Sequence, residues 1–127
     1  DPWQIIHAAR EHGAAEVLPD AMREMKIAGE IDGMSYEIEF YGCYLGRDCT
    51  SVLFQARLAR DKWEPAPDDV AAWNAEKLFG RAWLGEEATA VLDHPVAMQG
   101  GLPRETLDAT FAAWREAMEE YADFLDF

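Results

Sequence analysis

The stretch that decides the fold is Met34–Leu58, MSYEIEFYGCYLGRDCTSVLFQARL. Polar and apolar residues alternate on both sides of a short loop between two cysteines, a pattern typical of a β-hairpin. If Cys43 lies opposite Cys49, one face of the hairpin pairs large apolar side chains. These pairs are Phe40 with Val52, Ile38 with Phe54, Tyr36 with Ala56 and Met34 with Leu58. A slip of one residue would bury Glu37 and Glu39, so the pattern specifies the register.

A further strand precedes this hairpin, because Asp32-Gly33 suits the positive φ angles of a two-residue type I′ turn. The turn continues the apolar face, with Ile31 opposite Met34, Gly29 opposite Tyr36, Ile27 opposite Ile38 and Met25 opposite Phe40. Lys26 falls opposite Glu39 on the polar face, where the two charges attract. The turn residues and the alternation agree on one core-facing surface, which supports this arrangement of strands.

The rest of the chain adds helices and strands around this three-stranded meander. Proline begins and glycine ends the predicted helices at 2–12 and 67–79, and Pro103 begins the longest helix, which runs to about 126. Further strands are predicted over 14–18, 81–84 and 88–92, with His94-Pro95 and Gly100-Gly101 marking an irregular connection. The order α-β-β-β-β-α-β-β-α indicates an α+β fold whose helices cover the apolar face of an antiparallel sheet.

Length and charge limit the classes of function. A chain of 127 residues predicts one domain over 1–127, large enough to bury its own core. The net charge is −14, which argues against nucleic acid and anionic membrane as direct partners and permits a basic segment of a protein partner. No apolar run approaches ~18 residues, so we expect no membrane span. The sequence does not distinguish a cytoplasmic from a periplasmic location.

Cys43 and Cys49 are the first candidates for chemistry. They lack the second cysteine pair or the suitably spaced histidine of a metal site, and they do not form a Cys-x-x-Cys redox motif. A cross-strand disulfide and a pair of reduced structural thiols both fit, since the register puts both residues on one face. Glu37 and Glu39 resemble a glycosidase carboxylate pair in spacing, but acids on a polar strand face are ordinarily solvated. We therefore expect no catalytic residue, cofactor or metal.

Four short motifs recur together in one known family. They are Asp32–Tyr36 (DGMSY), Phe40–Cys43 (FYGC) followed by Cys49, Trp73-Asn74, and Phe79–Ala82 (FGRA). In these motifs, and over nearly the whole chain, the sequence resembles the YbjN family, the putative bacterial sensory transduction regulators. The matching motif residues, expected to be structural, are Tyr36, Phe40, Gly42, Trp73, Asn74, Phe79, Gly80 and Arg81. Family members carry Asp-x-x-Gly-Asp-Pro before the second strand, where this chain has DAMREM at 20–25.

The resemblance implies a fold similar to type III secretion chaperones, which are small, acidic and often dimeric, and it implies no catalytic activity. We therefore expect a non-enzymatic protein-binding module of bacterial origin, chaperone-like or regulatory. The alternative is a small-ligand sensor with a pocket between the second helix and the sheet, lined by Trp73 and Trp83. Asn74 in that helix either forms a structural hydrogen bond to a neighbouring loop or binds such a ligand.

Assembly is predicted from the last helix. Its apolar stripe contains Phe111, Trp114, Met118 and Tyr121, and Phe124 and Phe127 extend beyond it. Such large side chains exceed what a small core needs, so they predict a surface that a second copy or a client segment covers. We therefore expect a homodimer.

Overall fold

The computed structural model describes residues 2–19, 25–44 and 49–127. These residues form three helices and six strands: α1 Pro2–His12, β1 Ala14–Pro19, β2 Met25–Ile31, β3 Met34–Tyr41, β4 Ser51–Leu58, α2 Pro67–Glu76, β5 Arg81–Leu84, β6 Ala90–Ala97 and α3 Arg104–Phe124. The strands form one antiparallel sheet in the order β1-β2-β3-β4-β6-β5. The predicted α+β class and element order are confirmed. Of the family turn over 20–25, residues 20–24 lie outside the described residues, and Met25 begins β2.

The register of the central strands is the predicted one. Asp32 and Gly33 have φ angles of 52° and 80°, which fit the type I′ turn, and Ile31 lies opposite Met34. In the next hairpin Ile38 lies opposite Phe54, and the ladder runs from Glu37 to Tyr41. The alternation of side chains and the chemistry of the turn were therefore enough to place these strands.

All three helices cover the same face of the sheet. Each helix buries one apolar side against it: Ile5, Ile6, Ala8 and Ala9 from α1, Val70 and Trp73 from α2, and Leu107, Phe111, Trp114, Ala117, Met118 and Tyr121 from α3. On the sheet, Ile27, Ile38 and Phe54 are fully buried beneath them. Each large side chain buried in this way contributes roughly 1.5–3 kcal/mol, so this layer holds the domain together.

The large aromatic side chains of α3 are part of this core. Phe111, Trp114 and Tyr121 are at most 1% exposed within one chain. Phe124 packs edge-on against Trp73 at 5.7 Å between ring centroids, and the ring of Phe127 contacts Trp63. The expectation that these residues exceed the needs of the core was wrong, because α3 crosses the middle of a six-stranded sheet and packs on both β4 and β6. The homodimer loses this support and stays a prediction.

Helix α2 ends at Glu76, earlier than the predicted end before Gly80. Lys77 already has an extended backbone, with φ −111° and ψ 140°. The reason lies in two side chains of α2 that bind the returning chain: Trp73 Nε1 donates to the Gly80 carbonyl at 3.3 Å, and Asn74 binds the backbone of β5. These bonds bring β5 back against α2, so the helix cannot continue.

Strand β6 is longer than predicted. It runs from Ala90 to Ala97 and so contains His94 and Pro95, which were expected to lie in an irregular connection. Pro95 lies opposite Leu53 of β4, whereas the pairing with β5 ends at Asp93. Pro95 therefore occupies the part of β6 that has one neighbouring strand, where a missing N–H is tolerated.

Candidate functional site

The face of the sheet opposite the helices, called the open face below, carries mostly polar and small side chains. Strand alternation and the observed register place one row of side chains across all six strands. This row consists of Glu16, Ala28, Glu37, Gln55, Asp93 and Arg81. A second row contains Leu18, Lys26, Glu39, Leu53 and Pro95. The helices use the other face for the core, so the open face is available for contacts outside this set of elements.

A buried carboxylate lies on the open face in β6, next to the edge strand β5. Asp93 is 3% exposed, and its Oδ1 accepts a hydrogen bond of 2.7 Å from Gln55 Nε2. Its Oδ2 accepts bonds from Trp83 Nε1 at 2.7 Å and from Arg81 Nη2 at 3.3 Å. Hydrogen-bond donors from β4 and β5 therefore surround the carboxylate on β6. These hydrogen bonds connect the side chains of the three strands.

The sequence did not predict this cluster, because the strand was expected to end at Leu92, which leaves Asp93 outside the sheet. The sequence did contain one sign of this cluster. Arg81 and Trp83 are two residues apart in a predicted strand, so both donors lie on the same face of the sheet. Gln55 has the same position on β4, directly opposite Asp93. A carboxylate between three donors could have been inferred from a correct β6.

A depression of about 540 Å³ lies on the open face across β1, β2, β3 and β4. Its lining includes the small side chains Ala28 and Ser35 and the charged side chains Glu16, Glu30, Glu37 and Arg57, which are called its rim below. Small residues on neighbouring strands leave room that larger side chains would fill. The depression therefore follows from the sequence of the strands and needs no movement of the backbone.

Only some of the carboxylates around the depression form ion pairs in the part of the chain that the structure describes. Lys26 Nζ lies 3.8 Å from a carboxylate oxygen of Glu39, its predicted cross-strand partner, and closer, at 3.3 Å, to one of Glu37. This pairing favours the solvated charge pair over the glycosidase-like pair of Glu37 and Glu39. Over the described part of the chain, Glu16 and Glu30 form no ion pair. Among the described residues, the β1–β2 side of the depression therefore carries two carboxylates without an ion pair, and the nearest cation of the lining is Arg57 on β4.

Comparison with known protein families shows the family to which the chain belongs. A family model described as YbjN, putative bacterial sensory transduction regulator, matches residues 3–127. The chain belongs to the YbjN family. No curated protein and no solved structure matches the chain. The matched residues include every element from α1 to α3, so the open face is part of the YbjN domain.

The YbjN motif residues lie mainly in the core or at its edge. Tyr36 and Phe40 of β3 are buried beneath the helices, and Trp73 of α2 is buried in the same core. Gly42 has φ 65°, and a Cβ atom at this position would collide with the hydroxyl of Thr50, so glycine is required there. Arg81 differs from these residues, because it lies on the open face and binds Asp93.

The remaining motif residues join α2 to β5. The side chain of Asn74 forms two hydrogen bonds with the backbone of Ala82, so its role is structural as predicted, but the partner is strand β5 and not a loop. Phe79 stacks on His94 with 3.8 Å between ring centroids. Burial lowers the pKa of this histidine below its ordinary value. The motif therefore contributes packing at this corner of the YbjN domain.

Trp73 and Trp83 lie on opposite faces of the sheet. Trp73 is 1% exposed in the helix-facing core, where it packs against Tyr121, whereas Trp83 binds Asp93 on the open face. The sensor pocket that these two residues were expected to line together is therefore not formed. The strand alternation of Ala82 and Trp83 explains the difference, since Ala82 takes the core-facing position.

The two cysteines are joined in the structure by a disulfide, and their Cα atoms are 3.8 Å apart. Cys49 is 4% exposed and packs in the core, whereas Cys43 is exposed. Over residues 2–19, 25–44 and 49–127, no group of three His, Cys, Asp or Glu side chains is placed to hold a metal ion. None of the described helices is long and apolar enough to cross a membrane.

Proposed function

We propose that this YbjN protein is a non-enzymatic protein-binding module, chaperone-like or regulatory, which binds its partner on the open face of the sheet. The observation that carries the proposal is the depression over Ala28, whose carboxylates Glu16 and Glu30 form no ion pair with any residue that the structure describes. The helices are engaged in the core, so the sheet offers a broad surface that a partner segment can cover. The regulatory description of the family agrees with a role in binding other proteins.

The proposal that the module is non-enzymatic rests on the groups around the depression. Glu37 is paired with Lys26, and no histidine is among the lining residues described. A hydroxyl nucleophile such as Ser35 therefore has no adjacent imidazole base at this place. Asp93, the other carboxylate of the same row, is held by three donors and is buried. These pairings favour recognition over chemistry.

We also propose that the fold corresponds to the type III secretion chaperone-like arrangement. The element order α-β-β-β-β-α-β-β-α, the single antiparallel sheet and the net charge of −14 support this correspondence. In this proposal the partner is a protein segment, and neither nucleic acid nor an anionic membrane competes for the acidic surface.

Affinity capture from the native host, followed by mass spectrometry, tests the proposed function when it is done with matched variants. The test variant is Glu16→Lys/Glu37→Lys on the open face, and the control is Glu105→Lys/Glu119→Lys on the exposed side of α3. Both variants change the net charge equally. We expect a partner that the wild type and the control retain and that the open-face variant loses. Equal retention by both variants would contradict binding on the open face.

A further inference from the structure

We propose that the depression over Ala28 receives a lysine or arginine side chain of an extended partner segment, between the carboxylates of Glu16 and Glu37. The inference rests on the proposed function and names the chemistry of the partner. It follows from three features of the open face: the cross-strand geometry at Ala28, the balance of charge on the rim, and the width of the depression.

The geometry at Ala28 forms a slot. Glu16 of β1 and Glu37 of β3 both lie directly opposite Ala28 of β2, so the three side chains share a row on the open face. Neighbouring strands are roughly 4.8 Å apart, which puts the backbones of the two glutamates ~10 Å apart. The methyl group of Ala28 leaves the space between the carboxylates unfilled. A cationic head group entering there would meet carboxylate oxygens from two sides.

The charge on the rim favours a cation. Lys26 contacts both Glu37 and Glu39, so two carboxylates share one ammonium group. Glu16 and Glu30 add two further carboxylates without an ion pair in the described structure. An incoming lysine or arginine therefore finds unsatisfied negative charge, and the net charge of −14 attracts basic segments from a distance.

A second copy of the chain is a poor occupant of the same surface. A twofold interface centred on this surface would bring the acidic patch against an identical patch, because both subunits present the same residues at the axis. Like charges facing each other oppose such contact. A basic segment of another protein is free of this repulsion, so charge complementarity selects it.

The width of the depression fits an extended chain. Its lining runs from Ala14 on β1 to Arg57 on β4, which is three strand spacings or ~14 Å. Four residues of an extended chain cover a similar length at roughly 3.3 Å each. The guanidinium group of Arg57, at the far rim, offers hydrogen-bond donors to a backbone carbonyl of the same segment. A free amino acid is shorter than the depression is wide, so it would leave the charged residues on one side without a contact.

Titration of the ¹⁵N-labelled chain, followed by NMR, tests this inference. The probes are two synthetic Gly-Ser peptides of equal length, one with a central arginine pair and one with a central glutamate pair. With the arginine peptide we expect saturable amide shifts concentrated at residues 14–16, 28–30 and 35–37, which weaken with added salt. With the glutamate peptide we expect no saturable shift.

Variants distinguish binding in the slot from nonspecific attraction of the peptide to the acidic surface. Glu16→Gln should weaken binding of the arginine peptide about three- to fivefold, and Ala28→Leu should abolish the saturable shifts because it fills the slot. The controls Glu119→Gln and Ala109→Leu, on the exposed side of α3, should bind as the wild type does. The NMR spectrum of each variant reports whether it is folded.

Two results would overturn the inference: shifts of equal size along α3, or unchanged binding by Ala28→Leu. Failure of the inference is distinguishable from failure of the proposed function. If the open-face charge reversal removes the captured partner but the arginine peptide does not bind, the inference alone fails. If the charge reversal leaves capture intact, the proposed function fails as well.

Discussion

The side-chain amide of Asn74 pairs with the backbone of Ala82 in both directions. Asn74 Nδ2 donates to the Ala82 carbonyl at 2.8 Å, and Asn74 Oδ1 accepts from the Ala82 N–H at 2.7 Å. Ala82 lies in β5, an edge strand of the sheet. Because the amide satisfies backbone groups of an edge strand, it closes part of this edge to another chain while it attaches α2.

Asn74→Ala should therefore destabilise the domain. The change removes two hydrogen bonds and leaves the Ala82 N–H and carbonyl without their partner, at an expected loss of about 1–3 kcal/mol. Gln99→Ala, in the exposed loop before α3, is the control and should have little effect. Urea denaturation measures both variants. Equal midpoints for the two variants would contradict a stabilising role for the Asn74–Ala82 pair.

Asp93→Ala should have a larger effect. The substitution leaves Gln55 and Trp83 without an acceptor and Arg81 without its ion pair, so the expected loss is about 2–4 kcal/mol. Asp123→Ala on the exposed side of α3 removes the same charge from the surface and should change stability by less than ~0.5 kcal/mol. Chemical denaturation of both variants at neutral pH gives the comparison. A loss below ~1 kcal/mol for Asp93→Ala would mean that the cluster does not tie the strands.

Much of the sheet could be predicted from the sequence, because local chemistry determines it. The Asp32-Gly33 turn and the alternation through Ile38 and Phe54 each specify the same register. The end of β6 could not be predicted in this way, since Pro95 is compatible with a strand only where one neighbouring strand is absent. That condition depends on the length of β5, which is a property of the tertiary structure.

The candidate site was less accessible to sequence analysis than the sheet. The slot at Ala28 requires the pairing of β1 with β2, and no turn motif between these strands specifies their register. Glu16 and Glu37 are 21 positions apart along the chain, and only the pairing through Ala28 brings them into one row. The buried Asp93 likewise depends on donors from two other strands. Long-range pairing of this kind leaves little trace in a single sequence.

The assignment of faces on β3 predicts opposite outcomes for neighbouring residues. Ile38→Asp places an unpaired charge in the fully buried centre of the sheet and should lower stability by more than ~4 kcal/mol or prevent folding. Glu37→Ala, one position away on the open face, should change stability by less than ~1 kcal/mol. Circular dichroism during urea denaturation measures both. Similar losses for the two variants would contradict the two-layer arrangement.

The Cys43–Cys49 disulfide predicts the thiol content of the unreduced protein. Titration with a thiol reagent under denaturing conditions should find no free thiol before reduction and two after it. Closing so short a loop stabilises the folded state by roughly 2 kcal/mol in the chain-entropy model, so Cys43→Ser/Cys49→Ser should lower stability by about this amount. Two reactive thiols in the unreduced protein would support the reduced alternative.

Two buried tyrosines should respond differently to loss of their hydroxyl groups. The Tyr36 hydroxyl is buried without a hydrogen-bond partner among the described residues, whereas the Tyr121 hydroxyl donates to the Val91 carbonyl at 3.0 Å. Tyr36→Phe should therefore leave stability unchanged or raise it by up to ~1 kcal/mol, because it removes an unsatisfied polar group. Tyr121→Phe should lower stability by about 1 kcal/mol, since it leaves the Val91 carbonyl unpaired.

The same tyrosines make stability depend on alkaline pH. Burial raises the pKa of Tyr36 to about 12, whereas a tyrosine in the unfolded chain titrates near 10. The unfolded state releases this proton first as pH rises. The free energy of unfolding therefore keeps its full value with respect to Tyr36 below pH ~10 and falls as pH rises toward 12. Denaturation midpoints of the wild type should therefore fall more steeply over this range than those of Tyr36→Phe. Parallel curves for the two proteins would show that the Tyr36 hydroxyl is accessible to solvent.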